Sequence, residues 1–484
     1  MGVLYWIPLM IKSPLYSAIF KSVTGRLLTY IFQFAALALY ARLFSPEEFG
    51  VIASIQVFLI FFQMLADIGI GPAIINEDKF GKKKRDGIFS VTAISGLILA
   101  IVFYFFSFLL NSFYNGYEYQ QIAVFVSITI FFSTLNIVPI TAMNKDAKFI
   151  HLAMIDVLVE LLTIIGVYIL YLLEFGVLAL AARPMLQSMM RFVSTWYLSK
   201  NTNIGAPFFG VELFHIKSIL TFSSYQFGFN FINYFSRNLD NILIAKYFGM
   251  TSVGIYEKAY QLMRYPLMVT TFAMTPAIQP ILTKVRSDHN LVIKEHNLLS
   301  ARLFAISLLI SAFIFVNSHD VVLLLFGEKW LKVEPLIKIL SVMIPIQAVM
   351  SISGSFFQVM NKPKLLFISG TLAAIVNVAG IIIGINIGNM ESVATALVIS
   401  FTINFVCTYV MLFKFVFKQA QKEFYIKLFK VCLASMTPII LYYMVNYYLL
   451  SGYQLSAFLN LVVNGVVGCL LLALFYVPVK KTIT

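Results

Sequence analysis

A stripe of polar side chains crosses a stretch of the chain that is otherwise apolar. It consists of Gln226, Asn230, Asn233, Arg237, Asp240 and Asn241. Because these positions recur at spacings of three and four, they share one face of a helix. The alternative interpretation is a structural ion pair between Arg237 and Asp240, at i and i+3. The uncharged amides extend well beyond that pair, so the stripe favours a hydrated cavity over hydrocarbon.

A second polar group follows about twenty residues later, at Tyr260, Gln261, Arg264 and Tyr265. Arg264 has no acidic residue three or four positions away on either side. An unpaired guanidinium within an apolar helix indicates an anionic ligand, and its planar fork suits phosphate. The alternative is an ion pair across helices, with Asp67 or Glu257 as the partner.

Two carboxylates, Asp156 and Glu160, lie four residues apart in another apolar stretch. Like charges on one helical face destabilise each other, which favours a protonated form of one of them and hence ion or proton coupling. Asp240 is a third candidate for such coupling. The alternative places Asp156 near cytosolic water, with Glu160 in a salt bridge.

The remaining reactive residue types predict no catalytic or metal site. The five histidines lack metal-like spacing and are expected at the surface; they are His151, His215, His289, His296 and His319. The three cysteines, Cys407, Cys432 and Cys469, lie in apolar runs and are interpreted as small buried hydrophobes. We therefore expect no metal, no cofactor and no enzymatic activity.

These polar groups stand out because the chain is strongly apolar. Of its 484 residues 60% are hydrophobic and only 12% are charged. A soluble domain is about 45–50% apolar and about 25% charged. The composition therefore predicts an all-α polytopic membrane protein. The net charge of +14 does not indicate nucleic acid, because the basic residues lie between apolar runs, where membrane topology requires them.

A helix needs about 20 mostly apolar residues to cross a bilayer. By this measure the sequence predicts about fourteen spans, joined by short connections, the longest near 199–216 and 284–298. The spans are 20–41, 50–75, 88–111, 121–142, 150–173, 176–198, 217–246, 252–282, 299–319, 333–360, 365–387, 392–416, 426–449 and 455–478.

Most of the 35 basic residues fall on one set of alternate connections, which predicts that both termini are cytoplasmic. The predicted organisation has five parts. They are an N-terminal cytoplasmic or interfacial segment (1–19), a six-helix lobe (20–200), a cytoplasmic linker (201–216), a second six-helix lobe (217–420) and an extra helix pair with a short cytoplasmic tail (421–484).

The two lobes are predicted from a repeat, because the stretch from Leu39 to Ile75 recurs 204 positions later. The most telling matches are Arg42 with Lys246, Gly50 with Gly254 and Pro72 with Pro276. Six spans separate the copies, so the repeats are parallel, and the substrate path is expected between them. The last two spans are either a packing appendage or a site for part of a large lipid substrate.

Several short motifs resemble one transporter family. The segment from Arg42 to Gly50 (Arg-Leu-Phe-Ser-Pro-Glu-Glu-Phe-Gly) resembles the first periplasmic turn of Wzx-type polysaccharide flippases. These belong to the multidrug/oligosaccharidyl-lipid/polysaccharide exporter superfamily. Further similar stretches begin at Asp67, Gly254 and Phe326, and point to the branch that exports colanic or teichuronic acid. The resemblance implies movement of an undecaprenyl-diphosphate-linked oligosaccharide across a bacterial inner membrane by alternating access.

On this interpretation the polar stripes line the path, and the equivalent stripe in the first span includes Arg26 and Gln33. Arg26, Arg237 and Arg264 would bind the diphosphate or acidic sugars. Gln33, Gln226, Asn230 and Asn233 would bond sugar hydroxyls, and Tyr260 or Tyr265 would stack on sugar rings. Gln261 is expected to belong to the same substrate-binding set.

The expected partners are the lipid-linked oligosaccharide, the bilayer, and the polymerase and chain-length machinery of lipopolysaccharide or exopolysaccharide synthesis. The alternatives are a drug or cation exporter of the same superfamily, a membrane glycosyltransferase or polymerase, and a flippase for peptidoglycan precursors.

Overall fold

The computed structural model describes residues 31–67, 70–77, 80–215, 231, 234–268, 271, 275–450 and 456–483. All regular structure within these residues is helical. Helices satisfy their own backbone hydrogen bonds, which a lipid environment requires. The prediction of an all-α polytopic membrane protein is confirmed.

The helices are numbered here in chain order. They are α1 (Ile31–Leu43), α2 (Pro46–Asp67), α3 (Ile70–Asn76), α4 (Lys82–Phe113), α5 (Gln120–Leu135), α6 (Ile137–Lys145), α7 (Phe149–Leu172), α8 (Val177–Ser199), α9 (234–248), α10 (Met250–Leu267), α11 (Thr275–Leu282), α12 (His289–Val316), α13 (Ser318–Leu325), α14 (Glu334–Ser341), α15 (Ile344–Val359), α16 (Pro363–Ile387), α17 (Met390–Met411), α18 (Lys422–Val445) and α19 (Ala457–Ile483).

Within the described residues, nine helices are long and apolar enough to cross a membrane. A bent pair, Glu328–Ser341 and Ile344–Val359 with 58° between its halves, has the length and composition of either one broken span or a re-entrant loop. Helix α8 has sufficient length but carries Arg183, Gln187 and Arg191. The first and seventh predicted spans lie partly outside the described residues. The count of fourteen and the cytoplasmic placement of both termini therefore stay predictions.

One predicted connection is wrong. Residues 284–298 were expected to link two spans, but α12 already begins at His289. The carboxylate of Asp288 accepts a hydrogen bond from the Leu291 amide at 3.0 Å and caps the helix. With 28 residues, α12 is longer than the roughly 20 residues that hydrocarbon covers. A search for apolar residues therefore misses its polar first turns and places the start of the span too late in the chain.

Contacts divide the chain into two compact units, an N-terminal unit that ends at Gly254 and a C-terminal unit that begins at Ile255. The lobe limits inferred from the sequence stay a prediction. In the N-terminal unit, the irregular segment after α8 is held against the start of α4. Arg85 donates to the Ile204 carbonyl at 2.8 Å, and the Phe208 amide donates to Asp86 at 2.9 Å.

The core of the C-terminal unit contains a histidine that was expected at the surface. His296 is fully buried, so that prediction is wrong for this residue. Five aromatic rings surround it at centroid distances from 4.7 to 5.7 Å, those of Phe356, Tyr409, Phe413, Phe417 and Phe424. Its ring nitrogens are satisfied from its own helix, by Asn297 at 2.9 Å and Ser300 at 3.4 Å. Local partners remove the cost of burying the imidazole.

The cysteines also differ from expectation. Cys407 and Cys469 are exposed on the protein surface, and Cys432 is partly exposed. Exposed apolar neighbours such as Ile403 and Val406 identify these helix faces as lipid-facing. In a membrane protein a small apolar side chain is equally stable against lipid and in the protein core. The apolar surroundings of the cysteines in the sequence therefore do not predict whether they are buried.

The repeat is visible in the backbone. Helix α2 begins at Pro46 and α10 begins at Met250, which are 204 positions apart. The equivalent glycines lie at a reciprocal contact within the N-terminal unit. A Cβ on Gly50 would lie 1.7 Å from the Met250 carbonyl oxygen, and one on Gly254 would lie 1.9 Å from that of Pro46. Only glycine allows the two helix starts to approach so closely.

This contact predicts that Gly50→Ala and Gly254→Ala destabilise the protein. The neighbouring atoms are backbone and cannot rotate away, so overpacking should cost roughly 1–3 kcal/mol. Thermal unfolding of the purified full-length protein in detergent would measure the loss. Gly81→Ala is the matched control, because nothing lies within 4 Å of its Cβ position. Equal melting temperatures for all three variants would refute the proposed packing.

Candidate functional site

A polar stripe runs along α8 in the N-terminal unit. Arg183, Gln187, Arg191 and Thr195 recur every four residues and therefore lie on one face. Pro184, inside the same helix, removes one backbone donor beside Arg183. Each member of the stripe has a partner on a neighbouring helix.

The most buried partner is Glu160 of α7. Arg183 Nη2 donates to Glu160 Oε1 at 3.0 Å, and Gln187 Nε2 donates to Oε2 at 2.7 Å. The Glu160 side chain is 8% exposed and that of Arg183 is 28% exposed. The Arg183 guanidinium also lies 4.9 Å from the ring centroid of Tyr40 on α1. Both carboxylate oxygens are thus satisfied, and one charge compensates the other.

The stripe continues towards a more exposed end. Arg191 Nη2 lies 3.0 Å from Asp156 Oδ1, and both side chains are about one third exposed. One turn further, the hydroxyl of Thr195 donates to Asn136 Oδ1 at 2.5 Å. Asn136 lies at the break between α5 and α6, so this bond ties α8 to an interrupted helix.

Asp156 and Glu160 therefore each have their own arginine. Glu160 forms a salt bridge with Arg183, as the alternative interpretation of the sequence expected. A role in ion coupling for Asp156, Glu160 or Asp240 stays a prediction. Gln187 and Arg191 were not among the predicted site residues. Their spacing of four from Arg183 was the available signal.

Several predicted site residues can be placed. Gln33 lies half-buried on α1 and Arg237 is exposed on α9, whereas Asp240 is buried. Asp240 Oδ1 accepts a hydrogen bond from the Asn241 amide at 2.9 Å. The other members of the two stripes lie outside the described residues, namely Arg26, Gln226, Asn230 and Asn233.

The second predicted polar group lies together on α10, in the C-terminal unit. Arg264 is exposed, and its guanidinium lies 5.9 Å from the Tyr260 ring centroid. Within the described part of the chain it forms no ion pair, either with Glu257 or with another carboxylate. Nearly two turns earlier, Lys258 is only 3% exposed and donates to Gln261 Oε1 at 3.3 Å. This helix therefore presents a guanidinium, an amide and an aromatic ring at adjacent turns.

Comparison with known proteins now identifies the family. A family model described as "Polysaccharide biosynthesis protein" matches residues 39–335, more than half of the chain. The chain belongs to the polysaccharide biosynthesis protein family. The resemblance inferred from short motifs is thereby confirmed.

Curated members of the same group include proteins from bacteria and an archaeon. The teichuronic acid biosynthesis protein TuaB of Bacillus subtilis is 22% identical over 398 residues, 82% of each chain. The lipopolysaccharide biosynthesis protein WzxC of Escherichia coli is 20% identical and covers 83% of this chain and 82% of its own. The probable low-salt glycan biosynthesis flippase Agl15 of Haloferax volcanii is 23% identical and covers 79% of this chain and 80% of its own.

Two solved structures share the family's fold. The lipid II flippase MurJ in an inward closed conformation superposes with a TM-score of 0.76 at 17% identity, covering 94% of this chain and 98% of its own. A multidrug resistance transporter of the MATE family in an inward-facing conformation gives a TM-score of 0.64 at 15% identity, covering 80% of this chain and 96% of its own. The likeness places this member of the polysaccharide biosynthesis protein family in a polytopic transporter fold.

The contacts of Glu160 predict a strong coupling with Arg183. Glu160→Leu or Arg183→Leu alone leaves an uncompensated charge, which should cost about 3–5 kcal/mol, whereas the double variant should cost less than the sum. Thermal or denaturant unfolding in detergent would measure this cycle.

The control is the same cycle on Asp156 and Arg191. Because this pair is partly exposed, its coupling should stay within about 1 kcal/mol. Additive losses for Glu160→Leu and Arg183→Leu would contradict the ion pair.

Proposed function

We propose that this protein is a flippase of the bacterial inner membrane. Its substrate is an undecaprenyl-diphosphate-linked oligosaccharide repeat unit, which it translocates by alternating access as a transporter rather than as an enzyme. Family membership supports this proposal, as do the names of TuaB, WzxC and Agl15. A polymerase and chain-length machinery are proposed as partners, because the flipped unit must be assembled into a polymer.

The observation that carries the proposal is the guanidinium of Arg264. It is exposed on α10, within the predicted span 252–282, and forms no ion pair within the described residues; Tyr260 lies beneath it. A cation without a counter-charge at this position has a use only if the counter-charge arrives with a ligand. A diphosphate supplies it, and the guanidinium matches its oxygens with two parallel hydrogen bonds. The neighbouring Tyr260 ring and Gln261 amide suit a sugar.

The last two helices offer a place for the lipid portion. In the C-terminal unit an apolar groove of about 280 Å³ lies between α12, α18 and α19. Gly465 and Gly468 of α19 face Phe313 of α12 and Pro438 of α18 there. The groove has almost no polar lining, and it supports the interpretation that the extra pair binds part of a polyprenyl chain. The alternative, in which the last two helices are a packing appendage, stays a prediction as well.

A drug or cation exporter of the same superfamily is the principal alternative, because such a transporter gives one of the fold matches. A site for cationic drugs favours acidic groups, whereas α10 presents Arg264. A flippase for peptidoglycan precursors shares the diphosphate chemistry, and the match to MurJ concerns the fold alone.

Neutralising the two exposed arginines should impair transport. Arg264→Ala and Arg237→Ala should each reduce the flipping rate of a lipid-linked oligosaccharide in proteoliposomes by about tenfold, the effect of one lost charge-assisted hydrogen bond. Arg264→Lys keeps the charge but loses the bidentate geometry and should recover only part of the rate. Lys364→Ala, at an exposed lysine, is the control for charge removal. If Arg264→Ala and Arg237→Ala both flip at the wild-type rate, the cationic site is refuted.

A deletion strain should separate the proposal from the drug-exporter alternative. It should lose a surface polysaccharide and keep its drug tolerance, since the site is built for an anionic ligand. Glycan staining and growth across a panel of cationic drugs would measure both properties, and complementation by the wild-type chain is the control. Drug sensitivity with intact surface glycan would favour the exporter instead.

A further inference from the structure

The N-terminal unit contains a polar cavity that none of the predicted site residues occupies. It encloses about 310 Å³ beside the end of α2, the start of α3 and the break between α5 and α6. Six polar side chains line it: Gln63, Asp67, Ser133, Thr134, Thr141 and Asn144. The rest of the lining is Gly71 and small or aliphatic groups, among them Ala66, Ile75, Ile137 and Ile140.

Neighbouring bonds fix which hydrogen-bonding groups face the cavity. Gln63 Nε2 donates to Ser133 Oγ at 2.9 Å, which orients the amide. The hydroxyls of Thr134 and Thr141 donate to carbonyls of their own helices, at 2.7 and 2.6 Å. Each hydroxyl hydrogen is therefore used, and the oxygens offer lone pairs.

Asp67 and Asn144 retain the most capacity. One oxygen of Asp67 accepts a long bond of 3.4 Å from the Gly71 amide. The side-chain amide of Asn144 has no hydrogen-bond partner within the described residues and offers two donors and an acceptor. The side chains that line the cavity thus offer many hydrogen-bond acceptors and a few donors. A ligand that donates several O–H groups and also accepts complements it.

The charges around the cavity argue against phosphate. None of the described lining residues is a Lys or Arg, and the Asp67 carboxylate repels an anion. Lys145 follows Asn144 but directs its ammonium to the carbonyls of Ile74, at 3.0 Å, and Glu77. This cavity therefore differs in chemistry from the arginine-bearing face of α10.

The size argues against a bare cation. A hard cation needs several oxygens within about 2.6 Å, whereas 310 Å³ is the liquid volume of about ten waters at roughly 30 Å³ each. The aliphatic lining also suits the C–H faces of a sugar ring better than an ion.

We propose that this cavity is a binding subsite for an uncharged sugar of the lipid-linked oligosaccharide, with Asp67 and Asn144 as its principal hydrogen-bonding residues. The inference rests on the flippase function proposed above and assigns part of the substrate to this unit. Asp67 accepts from sugar hydroxyls, and Asn144 donates to a ring or hydroxyl oxygen. Gly71 keeps the cavity open, since a Cβ there would come within 3.3 Å of Thr141 Oγ1.

The test compares two probes on the purified full-length protein in nanodiscs. One probe is undecaprenyl diphosphate, and the other is the same lipid carrying a single neutral hexose. Asp67→Asn should weaken binding of the hexose-bearing lipid roughly tenfold and Asn144→Ala about threefold, in line with bonds to charged and neutral groups. Both variants should bind the sugar-free lipid within about twofold of wild type.

Glu118→Gln, which neutralises an exposed carboxylate outside the cavity, should change neither affinity. Melting temperatures confirm that each variant is folded, and Asn144→Ala keeps the test decisive if Asp67→Asn fails to fold.

Each other outcome overturns a defined claim. Equal losses for both probes, or no loss for either, would refute the sugar subsite. So would a wild-type protein that binds both probes with the same affinity. If the probes bind more tightly in a sodium buffer than in a choline buffer, and Asp67→Asn abolishes that difference, the cavity is a cation site instead. A wild-type protein that binds neither probe would refute the flippase proposal as well.

Discussion

The structure depends on one constraint: a polar group among apolar helices must find its partner within the protein. Glu160 illustrates it, because Arg183 and Gln187 satisfy both carboxylate oxygens. The stripe on α8 repeats this solution turn by turn as exposure increases towards Asp156. His296 meets the same constraint with local partners and an aromatic shell. The charges of Glu160 and Asp156 are therefore each compensated within the N-terminal unit.

The repeat predicted from the sequence relates the starts of two helices in the structure. The repeated starts of α2 and α10 retain the backbone contact at Gly50 and Gly254, where any side chain would collide with a carbonyl. The same helices differ in chemistry further along. Ser54 and Lys258 occupy equivalent positions and are both buried, whereas Ile60 corresponds to the exposed Arg264. Backbone packing is thus shared by the copies, and ligand chemistry is free to diverge.

How far the sequence predicts the structure differs between residues. Apolar length locates most helices, because hydrocarbon thickness fixes their size. It located even α8, as the predicted span 176–198, despite the arginines in that helix. It fails at the start of α12, which extends beyond the membrane thickness. Sequence spacing identified Arg264 as unpaired along its own helix. It could not identify the partners of Glu160 or the shell of His296, since these contacts join residues that are distant along the chain. The polar cavity at Asp67 was missed because its lining comes from four helices.

A charge count alone consequently says little about ligand binding in such a protein. Arg183 is a cation in the predicted span 176–198, but binding a phosphate there would compete with Glu160 for its guanidinium and leave a buried carboxylate uncompensated. That cost exceeds what one phosphate contact returns. Arg264 forms no ion pair within the described residues. An anion that binds there therefore interacts with the guanidinium without displacing a carboxylate of the protein. The distinction between the two arginines is set by their partners, and it is the reason the proposed anion site is placed at Arg264 and not at Arg183.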